Sequence, residues 1–334
     1  MRYPAFKLLL TGAVLVISLV VVSRAADTLP AELSDAEFWK IVSEFSEPNG
    51  YFQYEIVTSN ETSYQYVLPD LMKTSKPGGA YLGVGPEQNF TYIAAIQPKI
   101  AFIIDIRRDM LLEHLMYKAI FEMSPDRLDF VSNLFSRKKP SQLSADAPVR
   151  TIFQAFASVP ADRALAEEHL KQIFSRLKTT HHFTLSPEDE GRIRLMYLDF
   201  LKEGVITFSS SFMSPGYATL MTMTDSAGKN WSYLASNENY ERVRAMQQKN
   251  LIVPLVGDFA GPKAIRMAGQ YLKEHSAVVN VFYISNVEDY IRMWPAYQAN
   301  LASLPTDRAS MFIRWSPSFS TSLAPMVDSR FDRK

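Results

Sequence analysis

Ala80-Tyr81-Leu82-Gly83-Val84-Gly85-Pro86-Glu87-Gln88-Asn89, followed by Ile100-Ala101-Phe102-Ile103-Ile104-Asp105, decides the fold. Residues 80–84 form an apolar run of strand length, which Gly85-Pro86-Glu87 breaks. Gln88 to Ala95 reads as a helix, stopped at Gln97-Pro98, because the residue before a proline is pushed away from helical backbone. Residues 100–105 are a second unbroken apolar run, ending on an acid, and Asp109 to Glu122 reads as a second helix rich in Leu, Met and Phe. Apolar strands that lack polar alternation and are joined through helices predict a parallel sheet covered on both faces.

Downstream the rhythm stops and then returns. Ser124-Pro125-Asp126 reads as a helix start with serine as cap and proline in the first turn. Residues 127–136 and 151–178 read as helices separated by a linker from Lys138 to Pro148. Ser186 caps another helix, and Tyr217 to Met223 with Trp231 to Leu234 suggest a hairpin about Asp225-Ser226-Ala227-Gly228. Glu238 to Gln248 is helical. From residue 251 the order is strand (251–256), helix (262–273), strand (277–284), a mostly helical stretch broken or kinked at Pro295, and strand (310–315). One sheet split by a helical insertion accounts for this better than two domains in series, since each half alone holds few strands. The fold class is α/β, a doubly wound Rossmann-like sheet with a largely helical insertion.

The N-terminus has a different character. Arg2 and Lys7 precede the apolar run Leu8 to Val22, and Ser23-Arg24-Ala25 follows. Charged end, short apolar stretch and small-residue site form the pattern of a secretory signal peptide cleaved after Ala25. The alternative is an uncleaved anchor through residues 8–22. Either way the body is expected to be exported, and it meets a membrane only through an uncleaved N-terminal segment. Six regions follow: signal peptide (1–25), a lead-in helix with extended segments (26–77), the first part of the α/β domain (78–122), a mainly helical insertion or cap (123–250), the second part (251–316), and a flexible Ser- and Pro-rich tail (317–334). In the lead-in, Ser34 caps a helix whose apolar face is Phe38, Ile41, Val42 and Phe45. Tyr51 to Val57 and Tyr64 to Val67 suggest a hairpin about Ser59-Asn60-Glu61.

Composition narrows the partners. Thirty-five basic residues balance thirty-five acidic ones, whereas nucleic-acid binders usually carry a basic surplus or stripe, so no nucleic-acid partner is expected. The absence of cysteine excludes disulfides, cysteine nucleophiles and thiolate metal sites. There is no Gly-x-Ser-x-Gly or His-Glu-x-x-His pattern, the adjacent His181 and His182 cannot share a helix face as spaced ligands would, and no metal is expected.

Three features fall at the expected C-terminal ends of strands, where open α/β sheets bind ligands. The Gly83-x-Gly85 turn opens a helix, offering close backbone approach and free amide protons. Asp105 ends the next strand, where an acid can accept two bonds from ribose hydroxyls or merely cap the following helix. Gly257-Asp258 ends a later strand, where a short acid can accept a proton from an adenine amino group. Arg107 can clamp a carboxylate or phosphate beside Asp105, or be a solvated residue. Ser285-Asn286 ends another strand in the same crevice and can bind substrate or cap a helix.

This order resembles the class I S-adenosylmethionine-dependent methyltransferases. More closely, Tyr81 to Phe90, Asp105-Ile106-Arg107-Arg108 and Val256 to Lys263 resemble a family of uncharacterised bacterial proteins grouped with that fold, over about Phe38 to Arg314. The resemblance implies that Gly83 and Gly85 approach the cofactor's amino-acid end, Asp105 holds its ribose and Asp258 its adenine. The chain has Tyr81 where that loop usually has an acid and Glu87 where it has a third glycine; Glu87, with Gln88 and Asn89 in the same loop, can supply a replacement charge. The expectation is a methyltransferase-like protein with an S-adenosyl-L-methionine-type crevice and no assigned acceptor or catalytic residue. The alternative is an exported, non-enzymatic envelope protein that binds a small ligand or a protein partner in the same crevice.

Overall fold

The computed structural model describes residues 26–54, 57–208, 215–316, 318 and 320–329. The expected signal peptide or anchor lies outside the described residues. Among them, no helix is long and apolar enough to cross a membrane.

Ahead of the sheet stand α1 (Asp35–Phe45) and α2 (Leu68–Thr74). Then come β1 (Ala80–Gly83), α3 (Gln88–Ile96), β2 (Ile100–Asp105) and α4 (Arg108–Met123). A helical stretch follows: α5 (Arg127–Phe135), α6 (Val149–Ala157), α7 (Arg163–Phe174) with a π-helical turn at Ser175–Thr180, α8 (Pro187–Phe200), α9 (Glu203–Ile206), α10 (Tyr217–Thr222) and α11 (Asn237–Gln248). The chain closes with β3 (Ile252–Val256), α12 (Ala264–Glu274), β4 (Val279–Ser285), a 3-10 turn at Val287–Asp289, α13 (Trp294–Ser303), β5 (Met311–Ser316), β6 (Ser320–Pro325) and α14 (Met326–Ser329).

The six strands form one mixed sheet in the order β3-β2-β1-β4-β5-β6. Neighbours from β3 to β5 run parallel, and β6 returns antiparallel to β5. The chain therefore steps from β1 to β2, crosses the helical stretch to the edge strand β3, and returns beyond β1 to build the other half. β1, β2 and β3 are buried along their whole length, as unbroken apolar runs require. Pro254 lies in the edge strand β3, where its missing amide is tolerated. Aromatic contacts fix what covers each face. Tyr81 of β1 and Tyr283 of β4 pack on Tyr92 of α3, whereas Phe102 of β2 packs on Tyr271 of α12. Phe90 of α3 joins the sheet to the helical stretch, with the rings of Tyr117, Phe121 and Tyr233 all within 5.4 Å.

Several expectations need correction. Asp126, not Ser124, caps α5, because its carboxylate accepts the amides of Leu128 and Asp129, while the Ser124 hydroxyl turns back to Ile120. Residues 151–178 do not form one helix; the backbone leaves it around Pro160 and restarts at the Asp162 cap. The Asp225 turn exists, but Tyr217–Thr222 before it is helical and no strand flanks it. No strand forms among the described residues of 51–67, where turns lead into α2. Pro295 sits in the first turn of α13, so it starts that helix. Within the region expected to be a flexible tail, residues 320–325 pair with β5 from Met311↔Pro325 to Ser316↔Ser320.

Candidate functional site

The turn after β1 and the end of β2 come together. Gly85 adopts φ 76°, a left-handed backbone that favours glycine, and a side chain there would point into open space. Its amide lies near enough to the Asp105 carboxylate to favour the charged form, its carbonyl accepts from His114 Nε2 at 2.9 Å, and Asp105 accepts the Arg107 amide at 2.9 Å. Arg107 Nε lies 3.6 Å from Asp105, and its guanidinium donates to the Tyr54 carbonyl. Burial raises the Asp105 carboxyl above its ordinary range, opposed by Arg107 and the Gly85 amide. Burial also pushes His114 down to about 4.

Gly83 has a different reason to be glycine. A β-carbon there would collide with the Asn89 amide oxygen and the Tyr81 ring. Asn89 is fully buried; its amide donates to the carbonyls of Val84, Gly85 and Pro86, and its oxygen accepts from the Tyr81 hydroxyl at 2.7 Å. It staples the loop from inside instead of facing a ligand. Glu87 is likewise fully buried, turned to its own amide and to that of Ser59, and burial raises it to about 8. Gln88 is buried and bonds to Ser59 and Glu61.

Asp258 does not join this group. It is exposed, and its carboxylate accepts the Ala260 amide within its own turn. An acid the sequence reading missed stands at that strand end instead. Glu47 accepts the amides of Asp258, Lys263 and Ala264, so it caps α12 with a carboxylate, and a side chain on Gly261 would clash with it. Asn49 caps α4 through the Arg108 amide at 2.8 Å, and the Gly50 amide bonds to the Ile106 carbonyl at 2.8 Å. Lead-in residues thus occupy two helix N-termini that would otherwise attract anions.

The same holds at the ends of β1 and β4. Ser285 and Asn286 lie there, and Ser285 adopts φ 52°. The Ser285 hydroxyl donates to Glu61 and, at 3.4 Å, to the Asn286 side chain. Glu61 is 3% exposed and also accepts from the Tyr283 hydroxyl at 2.6 Å and from Gln88 at 3.1 Å. Burial raises its carboxyl, opposed by the bonds from Ser285, Tyr283 and Gln88.

A further buried acid, Glu113 of α4, has no hydrogen-bond partner for either oxygen among the described residues, and burial followed by Glu87 raises it well above its usual range. Neither Glu47 nor Glu61 stood out in the sequence, because nothing local marks an acid most of whose partners lie more than 200 residues away. Glu113 is marked only as a charge on an otherwise buried helix. Among the described residues no group of three or more His, Asp or Glu is placed to hold a metal ion.

Set against an adenosyl group, the residues fit at one corner. Gly85 and Asp105 present an open turn beside an acid, as a ribose requires. At the loop the resemblance assigns to the amino-acid end, Glu87, Gln88 and Asn89 are spent on internal bonds, with Gln88 donating to Glu61. At the adenine end, Asp258 is tied into its own turn and Glu47 holds the neighbouring amides. The family model described as "Domain of unknown function (DUF7790)" matches residues 56–332. No curated protein matches the chain.

Proposed function

The chain belongs to the DUF7790 family, and we propose that it binds a nucleoside-type ligand of the S-adenosyl-L-methionine class on a methyltransferase-like scaffold. The site is the corner formed by Gly85, Asp105 and Arg107. The observation that carries the reading is the left-handed Gly85 turn, open to solvent where a side chain would point, set beside the strand-end acid Asp105 and its partner Arg107. The strand order supports a doubly wound, Rossmann-like arrangement with its reversal between β1 and β4, the place where such sheets take ligands. Asp105 accepts the ribose hydroxyls in this reading, and Arg107 holds Asp105 ionised.

A second reading is favoured by Glu47 and Glu61: an exported, non-enzymatic envelope protein whose crevice binds a small ligand or a protein partner. The leader pattern of residues 1–25 supports it.

Thermal unfolding of residues 26–334 with millimolar S-adenosylmethionine or its demethylated product tests the first reading. A ligand at about a hundred times its dissociation constant adds about 2.7 kcal/mol. No shift with either compound refutes the ligand class, and a shift that survives Asp105→Ala refutes the site. Methyl release to added acceptors separates enzyme from binding protein. Cell fractionation tests export, which a cytosolic, full-length product would refute.

A further inference from the structure

Opposite Asp105, the crevice holds a finished receptor for a carboxylate. Two hydroxyls, from Tyr283 and Ser285, converge on one oxygen of Glu61, and the Gln88 amide donates to the other. These donors belong to the scaffold: Tyr283 and Ser285 end β4, and Gln88 opens α3. The acid belongs to a segment outside the sheet, in the turn region before α2. Gln88 and Tyr283 are buried, so each would be left with an unmet polar group if no acid were present. Ser285 is held at φ 52° while its hydroxyl points at the acid, and a non-glycine residue persists in that backbone only where its surroundings enforce it.

The chemistry of the three donors selects the ligand. All are neutral, and among the described residues no arginine or lysine bonds to the Glu61 carboxylate. A phosphate would call for a guanidinium or ammonium; a single carboxylate is satisfied by three neutral donors. We propose that Gln88, Tyr283 and Ser285 form a binding site for a small carboxylate, and that Glu61 is an internal occupant which the incoming carboxylate replaces. The proposal rests on the reading of this crevice as a ligand site and names the chemistry of one end of that ligand. Glu61 then acts as a tethered competitor. The apparent affinity of the wild-type protein is reduced by the fraction of time Glu61 is out of the site.

Acetate is the probe, with chloride at equal ionic strength as the control. Calorimetry and thermal unfolding compare wild type, Glu61→Ala and Glu61→Gln. Glu61→Gln keeps the side-chain shape, so it carries the test should Glu61→Ala not fold. The expected result is acetate binding at least tenfold tighter to Glu61→Ala than to wild type, a smaller gain in Glu61→Gln, whose amide still fills the site without the charge, and loss of that binding when Ser285→Ala is added. Equal acetate responses in all proteins overturn the proposal, as does a response that chloride reproduces or none in any protein. Adenosine is titrated separately into Glu61→Gln. Acetate binding without adenosine binding refutes the nucleoside reading alone; adenosine binding without acetate binding refutes the carboxylate site alone.

Discussion

Replacing Glu87 by glutamine keeps the shape of the side chain and removes its titration. In the folded protein this carboxyl is pushed up to about 8 from a usual value of 4.5, because it is fully buried with only the amides of Ser59 and its own residue as donors. An acid whose folded value is raised stabilises the fold while protonated, and that stability is lost as pH climbs from the unfolded value through the folded one. His114 works in the opposite sense: pushed down to about 4, it costs stability as pH falls from about 6.5 towards 4. Below pH 6.5 the two slopes therefore partly cancel, and the clean window lies above it. Between pH 6.5 and 9, at about 1.4 kcal/mol for each pH unit up to the folded value, Glu87 should cost about 2 kcal/mol. Urea denaturation at half-unit steps across that window, on wild type and Glu87→Gln, measures it. The expected outcome is a wild-type curve that falls by about 2 kcal/mol more than the variant's. Because Glu113 faces Glu87, the difference belongs to the pair. Parallel curves would refute the burial argument and place water or a cation beside the carboxylate.

Two further outcomes follow from the same geometry. Gly83→Ala should cost more stability than Gly85→Ala: the first drives a methyl into Asn89 and Tyr81, for about 1–3 kcal/mol, and the second pays only the left-handed backbone, about 1–2 kcal/mol. Urea midpoints that rank the other way would show that the Asn89 staple yields easily. His181 bridges Asp35 of α1 and Glu122 of α4 at 2.7 and 2.8 Å; burial alone would lower its pKa, but the bonds to the two acids raise it. Its contribution is complete below about pH 6.5 and is lost as pH rises through the folded value, so wild type should lose its advantage over His181→Gln across that range in paired urea titrations. A pH-independent gap would mean the bridge holds with a neutral ring.

The parts of the fold that were legible are those whose signal is local. β1, β2 and β3 are unbroken apolar runs bounded by Gly, Pro or a polar turn, and they lie where those boundaries put them. The Ser34 and Ser186 caps read correctly because each is followed three residues later by an acid that completes a capping box. Tyr217 to Met223 failed as a strand because a short apolar run has no period to separate strand from helix, and only its packing against the helical stretch decides. The candidate site split the same way. Gly85 and Asp105 were found by their place at strand ends. Glu47 and Glu61 were not, because a capping or bridging acid is defined by its partners, and theirs are Lys263, Tyr283 and Ser285.

Those two acids also bear on which ligand the crevice can take. A C-terminal sheet edge with helix N-termini along it attracts negative charge, and the chain meets that demand from its own lead-in with Glu47 at α12 and Glu61 between α3 and β4, while the neutral Asn49 amide oxygen caps α4. Meeting it internally satisfies buried donors and makes the fold self-sufficient, but it also opposes every anionic group that would bind there. The Asp105 corner is the exception, since among the described residues the lead-in brings no acid to it and Gly85 leaves its approach open. In the proposed reading, a ligand that gains affinity only through hydroxyls at Asp105 binds without disturbing Glu61, whereas one that also carries a carboxylate must displace it. Binding energy and opening of the lead-in are then coupled for the second kind of ligand alone, and comparing the two kinds on the same protein separates a static binding site from one that its own lead-in controls.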